Sequence, residues 1–136
     1  MIVDTSALIA VLTGEDGAAR LLDAIESEPA LLPAPARVEF LRVASGARLQ
    51  LGAIAADLLA EWEVGGLTTI PFDAEHARIA AQANGRYGKG MGKGGALNLL
   101  DLMVYAVAKE RGEPLLCTGK DFAATDLELH AANRPF

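Results

Sequence analysis

Four carboxylates occupy positions where an ordinary solvent-exposed charge is not expected. Asp4 directly follows the short apolar run that begins the chain, and Asp121 lies four residues after another apolar run. Glu39 interrupts the apolar face of a predicted helix, and Asp101 is followed by seven residues that are all apolar or Tyr. A carboxylate in such surroundings is costly unless it has a partner. These four acids are therefore the first candidates for chemistry.

A divalent cation would explain four acids that converge. Without a cation, their mutual repulsion would raise their pKa values. Mg²⁺ and similar hard ions prefer oxygen ligands, and Mg²⁺ is commonly held by one or two carboxylates and several waters. Such an ion lowers the pKa of a bound water and neutralises charge on a phosphodiester. The residue types thus predict a Mg²⁺ or Mn²⁺ site for phosphoryl chemistry.

Each of these acids also has a purely structural interpretation. Asp4 can cap the helix that follows it, and Asn98 and Asp101 have the spacing of a capping box. Glu39 can form a helix salt bridge with Arg37 or Arg42. Asp121 can stabilise the N-terminus of a short last helix. Capping and metal ligation are compatible, so the two interpretations of Asp101 stay open at this point.

Other polar residues have structural explanations that are at least as good as catalytic ones. Ser6 is interpreted as a cap, because no His lies near it in sequence, and Thr118 is as well explained by a turn as by a ligand. His76 and His130 are expected at the surface. Cys117, on an apolar strand, is expected in the core.

Short apolar strands alternate with helices along the chain, which predicts one α/β domain over residues 1–136 with a short, mostly parallel sheet. In such sheets the carboxyl ends of the strands line the crevice that binds ligands. The predicted strands cover residues 1–3, 30–32, 67–70 and 115–117. The predicted helices cover residues 7–12, 17–27, 33–48, 52–64, 73–84 and 98–111, with a short helix from 121.

Composition excludes several classes of protein. The 136 residues are 51% apolar and 22% charged with a net charge of −6, so a broad basic coat for nucleic acid is absent. One Cys excludes a disulfide framework. No apolar run reaches the ~18 residues of a membrane span, and no signal peptide is visible, so the expected location is the cytoplasm.

A local basic segment remains at residues 85–95, which hold six glycines with Arg86, Lys89 and Lys93. The glycines predict a mobile loop. Its three cations are equally well explained as RNA backbone contacts or as a solvated linker.

Four segments occur in the order typical of a PIN domain and resemble most closely the VapC-type toxins of bacterial toxin–antitoxin pairs. They are Asp-Thr-Ser-Ala at 4–7, a lone Glu at 39, Leu-Asn-Leu-Leu-Asp at 97–101 and Thr-Gly-Lys-Asp-Phe at 118–122. The resemblance covers essentially the whole chain. It implies a three-layer α/β/α fold, a Mg²⁺- or Mn²⁺-dependent endoribonuclease, a homodimer and a cognate VapB-like antitoxin.

The resemblance also implies a role for each matching residue. Asp4, Glu39, Asp101 and Asp121 match the catalytic acids, and Asp4, Asp101 and Asp121 among them match metal ligands. The positions matching residues that orient substrate or water are Ser6, Asn98 and Thr118, and Asp126 matches a further acid that takes part less uniformly. The chain differs from the common pattern at Leu100, where Gly is frequent.

Two other enzyme classes do not match. A haloacid-dehalogenase-type phosphatase needs a second Asp two residues after Asp4, where Ser6 stands. The glycine-rich segment lacks the spacing of a phosphate-binding P-loop. The remaining alternative is a catalytically silent PIN-fold module that binds RNA or a partner.

Overall fold

The computed structural model describes residues 1–92 and 94–133, and within them the chain forms six helices and four strands. In chain order these are β1 (Ile2–Val3), α1 (Thr5–Thr13), α2 (Ala18–Ser27), β2 (Leu31–Pro33), α3 (Ala34–Ser45), α4 (Gly52–Val64), β3 (Thr68–Ile70), α5 (Ala74–Tyr87), α6 (Leu99–Arg111) and β4 (Leu115–Leu116). None of the described helices is long and apolar enough to cross a membrane.

The four strands form a parallel sheet in the order β3-β2-β1-β4. Ile2 on β1 is in register with Leu31 on one side and with Leu115 on the other. Leu129 adds a parallel bridge to Leu115, outside the named strands. The predicted α/β fold with a parallel sheet is therefore confirmed.

The strand order reverses between β1 and β4. The chain moves one way along the sheet from β1 to β3 and then returns past both earlier strands to place β4 beside β1. Because crossovers between parallel strands are right-handed, this reversal puts helices on both faces and gives three layers. A crevice opens outside the carboxyl ends of the strands at such a reversal, so the fold places the binding site where β1 and β4 end.

Apolar side chains from all layers fill the core. Ile2, Leu8, Leu32 and Phe40 are inaccessible to solvent. The ring of Phe40 lies 6.1 Å from that of Trp62 on α4, which joins α3 to α4. Glu39, next to Phe40 in sequence, is therefore carried by a rigidly packed helix.

The predicted short helix from Asp121 is wrong. Residues 121–124 form turns instead, with Ala123 N–H donating to Lys120 O and Thr125 N–H to Phe122 O. Phe122 is buried, and the Thr125 hydroxyl also donates to the carbonyl of Phe122. The backbone bonds of these turns each span three residues and do not continue as the i to i−4 ladder of an α-helix.

The predicted loop at 85–95 is shorter than expected, because α5 continues to Tyr87. A pair of backbone bonds then joins Tyr87 and Lys89 to Leu97, at 3.0 and 2.8 Å. Glycines at 90, 92 and 94 adopt positive φ between these bonds, which a side chain would disfavour. Lys93 lies outside the described residues.

The prediction that His76 lies at the surface is wrong, because the residue is only 3% exposed. Its Nδ1 accepts a hydrogen bond from Asp73 N–H at 3.0 Å, and Asp73 Oδ1 accepts one from His76 N–H, which completes a capping box on α5. Because Nδ1 is an acceptor, the ring proton is on Nε2, and this N–H donates a hydrogen bond to Glu110 Oε1 at 3.0 Å. One imidazole thus ties the start of α5 to the end of α6.

We expect His76→Ala to lower the free energy of unfolding by about 1–3 kcal/mol, since it removes the cap on Asp73 N–H, the bond to Glu110 and the packing of a buried ring. Urea denaturation would measure the change. Arg78→Ala is the matched control on the same helix, because its ion pair with Glu75 is exposed and should matter little. An equal loss in both variants would contradict this role of His76.

Candidate active site

Asp4 is held at the carboxyl end of β1 by three hydrogen bonds. Its backbone N–H donates to Leu116 O on β4 at 2.9 Å. Its Oδ2 accepts from Ser6 N–H at 3.0 Å and from the Ser6 hydroxyl at 2.6 Å, so Asp4 is also the N-cap of α1. The residue is only 5% exposed. The structural and functional interpretations of Asp4 are therefore compatible.

Ser6 connects the two strand ends that flank the site. While its hydroxyl donates to Asp4, the same oxygen accepts a hydrogen bond from Thr118 N–H, just beyond β4, at 3.0 Å. The single proton of Ser6 is therefore directed at Asp4. Sequence reasoning recognised Ser6 as a cap but missed this bond to Thr118, which lies 112 residues away.

Asp101 lies in the first turn of α6, which is the third element that contributes to the site. It forms a reciprocal capping box with Asn98 on α6: Asp101 N–H donates to Asn98 Oδ1 at 2.9 Å, and Asn98 N–H donates to Asp101 Oδ2 at 3.1 Å. The predicted capping spacing is thus confirmed. It fixes the Asp101 carboxylate at the start of α6 and uses the side-chain oxygen of Asn98.

The pKa of Asp101 rises from its ordinary value of 3.8 to about 7. Burial is the largest cause, and the hydrogen bond from Asn98 N–H opposes it. The negative charges of the other three acids raise it further; they are Asp4, Asp121 and Glu39. The structure therefore places the other three predicted acids close enough to Asp101 for their charges to raise its pKa.

Two neighbouring groups respond to the same concentration of charge. Burial raises the pKa of Asp4, and Glu39 raises it further, while the hydrogen bonds from Ser6 lower it. Burial and the charges of Asp4, Asp101 and Asp121 raise the pKa of the Cys117 thiol to about 12. Cys117 is therefore a protonated core residue beside the site, as its apolar strand predicted.

Glu39 and Asp121 approach this site from α3 and from the turn after β4. Glu39 is half-buried, and the predicted salt bridge to Arg37 is not formed, since Arg37 pairs with Glu63 at 2.9 Å. Asp121 is exposed. Among residues 1–92 and 94–133, no ion pair neutralises Asp4, Glu39, Asp101 or Asp121.

The chemistry of the site suits a hard cation that retains water. Its donors are carboxylate oxygens that no basic side chain of the described residues neutralises. In that same part of the chain, no three Asp, Glu, His or Cys side chains are placed so that together they could hold an ion. Mg²⁺ does not require such a cage, because it commonly keeps several waters and one or two carboxylates.

Comparison with known proteins agrees with this arrangement. The PIN domain model matches residues 1–128. Ribonuclease VapC42 of Mycobacterium tuberculosis (strain H37Rv) is 41% identical over 129 residues, which are 93% of this chain and 96% of that protein. The chain belongs to the PIN domain family, in its VapC group.

Solved structures share the fold of this PIN domain. VapBC2 from Rickettsia felis, bound to a DNA fragment from its promoter, matches with a TM-score of 0.71 at 15% identity over 97% of this chain and 96% of that one. Mycobacterium tuberculosis VapC20, a sarcin–ricin loop cleaving toxin, matches with a TM-score of 0.70 at 17% identity over 93% and 95%. At these identities the likeness concerns the fold.

Asp126 of this PIN domain has a different role from the four acids. Its Oδ1 accepts from the Tyr105 hydroxyl and its Oδ2 from the Lys109 ammonium, each at 2.7 Å. Burial raises its pKa, but the two hydrogen bonds outweigh burial and hold the pKa below its ordinary value. Asp126 therefore attaches the segment after β4, which includes Asp121, to helix α6. The resemblance marked Asp126 as a further acid, but sequence reasoning missed its bond to Tyr105.

Two of the three predicted RNA contacts, Arg86 and Lys89, have different surroundings in this PIN domain. Arg86 lies in the last turn of α5, with its guanidinium 5.2 Å from the centre of the Tyr87 ring. Lys89 lines an apolar groove of about 680 Å³ between α5 and α6. Lys93 is outside the described residues. Arg86 and Lys89 therefore line different cavities.

Proposed function

We propose that this chain is a metal-dependent endoribonuclease that hydrolyses RNA phosphodiester bonds. The observation that carries the proposal is the proximity of four acids near the carboxyl ends of β1 and β4: the charges of Asp4, Glu39 and Asp121 all raise the pKa of Asp101. A relative that is 41% identical across almost the whole chain is named a ribonuclease, which supports the same activity.

Asp4, Asp101 and Asp121 would supply the carboxylate ligands for Mg²⁺ or Mn²⁺, with one or two of them and several waters around each ion. A bound ion of this kind lowers the pKa of a water ligand and neutralises charge on a phosphate. Glu39 is half-buried and has no cationic partner among the described residues, so it is available as a general base or a further ligand. Ser6 keeps the Asp4 carboxylate oriented, and Asn98 does the same for Asp101.

The backbone N–H of Thr118 donates to the Ser6 oxygen, and within the described residues no hydrogen bond is formed by the Thr118 hydroxyl. That hydroxyl can orient a water or a phosphate oxygen. The distinction between these residues follows from their hydrogen bonds. The Ser6 hydroxyl donates to the Asp4 carboxylate, and the Asn98 side chain accepts from Asp101 N–H. Thr118, by contrast, is anchored through its main chain.

We further propose that residues 1–136 act as one domain, as the toxin of a toxin–antitoxin pair, in the cytoplasm and as a homodimer. A VapB-like antitoxin is the expected partner. Support comes from the VapC names of the sequence relatives and from solved neighbours that are complexes of VapB and VapC proteins.

The activity can be tested with the chain purified away from any co-expressed partner. We expect cleavage of total RNA in Mg²⁺ or Mn²⁺, with discrete ends, and no cleavage in EDTA. Cleavage that persists in EDTA would contradict the metal mechanism. RNA binding without cleavage under every metal condition would instead support the silent binding module.

A further inference from the structure

A second pocket adjoins the acidic site and differs from it in chemistry. It encloses about 420 Å³ between α5, α6 and the segment after β4. Two tyrosines and three cations contribute to its wall: Tyr87, Tyr105, Arg78, Arg86 and Lys109. The Tyr rings are 5.4 Å apart between centroids and inclined by 52°. A pocket of aromatic rings and basic groups is suited to a flat ligand that carries negative charge.

Among the described residues that line this pocket, Arg86 is the cation without a carboxylate partner, so it is available to a ligand. Lys109 is paired with Asp126, and Arg78 at the margin is paired with Glu75. Arg86 is exposed and lies over the Tyr87 ring, and within the described part of the chain it forms no ion pair with a carboxylate. Asp126, the one acid in the wall, has both oxygens occupied by Tyr105 and Lys109.

The pocket is one helical turn from the acidic site. Tyr105 follows Asp101 by four residues on α6, so the two side chains share a face and start about 6 Å apart. The Tyr105 hydroxyl is bonded to Asp126, five residues after Asp121 on the segment after β4. A nucleotide next to one at the acidic site could therefore reach the pocket.

We infer that this pocket binds an unpaired nucleobase of the RNA beside the cleaved bond, with the base against Tyr87 and its phosphate on Arg86. The inference rests on the proposed ribonuclease function. Proteins bind single-stranded RNA by stacking bases on aromatic rings and on Arg planes, and by attracting the backbone with cations. An unpaired base fits this pocket because it is flat and adjoins a phosphate.

The test removes the ring and the base separately. Substrate RNA is prepared with an abasic nucleotide at each position around the mapped cleavage site, and binding is measured in EDTA, where cleavage is not expected. Wild-type protein should lose about tenfold in affinity for one abasic position, the effect of one stacked base. Tyr87→Leu should bind intact RNA about tenfold more weakly and be insensitive to that abasic position.

Three further variants separate stacking from charge and from misfolding. Tyr87→Phe keeps the ring and should bind almost as the wild type does. Arg86→Gln should weaken binding and reduce the slope of log affinity against log salt by about 0.7. Arg48→Gln removes an exposed charge outside the pocket and should change neither the abasic profile nor cleavage by more than about twofold.

The outcomes distinguish this inference from the proposed function. If the wild-type chain cleaves RNA but the Tyr87→Leu and wild-type abasic profiles coincide, the pocket is not the base site and the nuclease function stands. If Tyr87→Phe loses as much affinity as Tyr87→Leu, stacking is contradicted. If the wild-type chain neither binds nor cleaves RNA, the proposed function fails and this inference with it.

Discussion

Replacing Asp101 by Asn is expected to abolish RNA cleavage and, in the absence of metal, to make the protein more stable. The loss of activity should be about 100-fold or more, because the variant removes a proposed metal ligand. The gain in stability follows first from the burial of the Asp101 carboxylate and then from the three other acids that repel its charge. Asn can still accept the capping bond from Asn98 N–H, so the start of α6 is preserved.

The gain should depend on pH. The folded-state pKa of Asp101 is about 7, above the ordinary value of 3.8, so the unfolded chain binds fewer protons than the folded one between about pH 4 and pH 7. The free energy of unfolding of the wild type therefore falls as pH rises through that window, and Asp4 contributes in the same direction. Asp101→Asn should be more stable than wild type at pH 7.5 and nearly equal below pH 4.

Solvent screening limits the size of this effect, because Asp101 is only half-buried. We expect about 1 kcal/mol at pH 7.5, measured by urea denaturation in EDTA. Saturating Mg²⁺ should reverse the order, since an ion that binds only the folded state stabilises it by about 2.7 kcal/mol at a hundred times its Kd. A wild-type protein that is more stable than Asp101→Asn in EDTA at pH 7.5 would contradict this account.

Ser6→Ala is expected to reduce both activity and stability, although Ser6 need not touch RNA. The variant removes the hydroxyl that donates to Asp4 at 2.6 Å and accepts from Thr118 N–H at 3.0 Å. A hydrogen bond to a charged group is lost, and the N–H of Thr118 loses its partner. We expect about 1–3 kcal/mol lower stability and about tenfold slower cleavage.

Ser27→Ala is a suitable control, because the Ser27 hydroxyl donates only to Asp23 O on the exposed surface of α2. Cleavage rate, Mg²⁺ dependence and thermal unfolding would be compared for both variants. Ser6→Ala should need more Mg²⁺ for half-maximal cleavage, since its Asp4 is less firmly oriented. An unchanged Mg²⁺ requirement together with an unchanged melting temperature would exclude this positioning role.

Much of the fold could be predicted because its signals are local. Apolar runs interrupted by Pro, Gly and capping residues located four strands and six helices, with Gly52–Val64 matching at both ends. The predicted capping box at Asn98 and Asp101 formed because both partners lie within one helical turn. Helix α5, by contrast, runs past its predicted end into the glycine-rich segment, since the pair of bonds to Leu97 supports it from a distance.

The sequence by itself determined which residues could do chemistry: four acids that interrupt apolar surroundings, in an order that already resembled a PIN domain. Only the tertiary structure decided which acids share a site. It placed Asp101, at the start of α6, near enough to Asp4, at the end of β1, for the charge of Asp4 to raise the pKa of Asp101. It bonded Asp126 to Tyr105 and Lys109 instead. It also buried His76 between α5 and α6. Unlike the local capping partners, the tertiary partners of Asp126 and His76 carry no sequence signal, because they lie 17 to 34 residues away and are brought together only by packing.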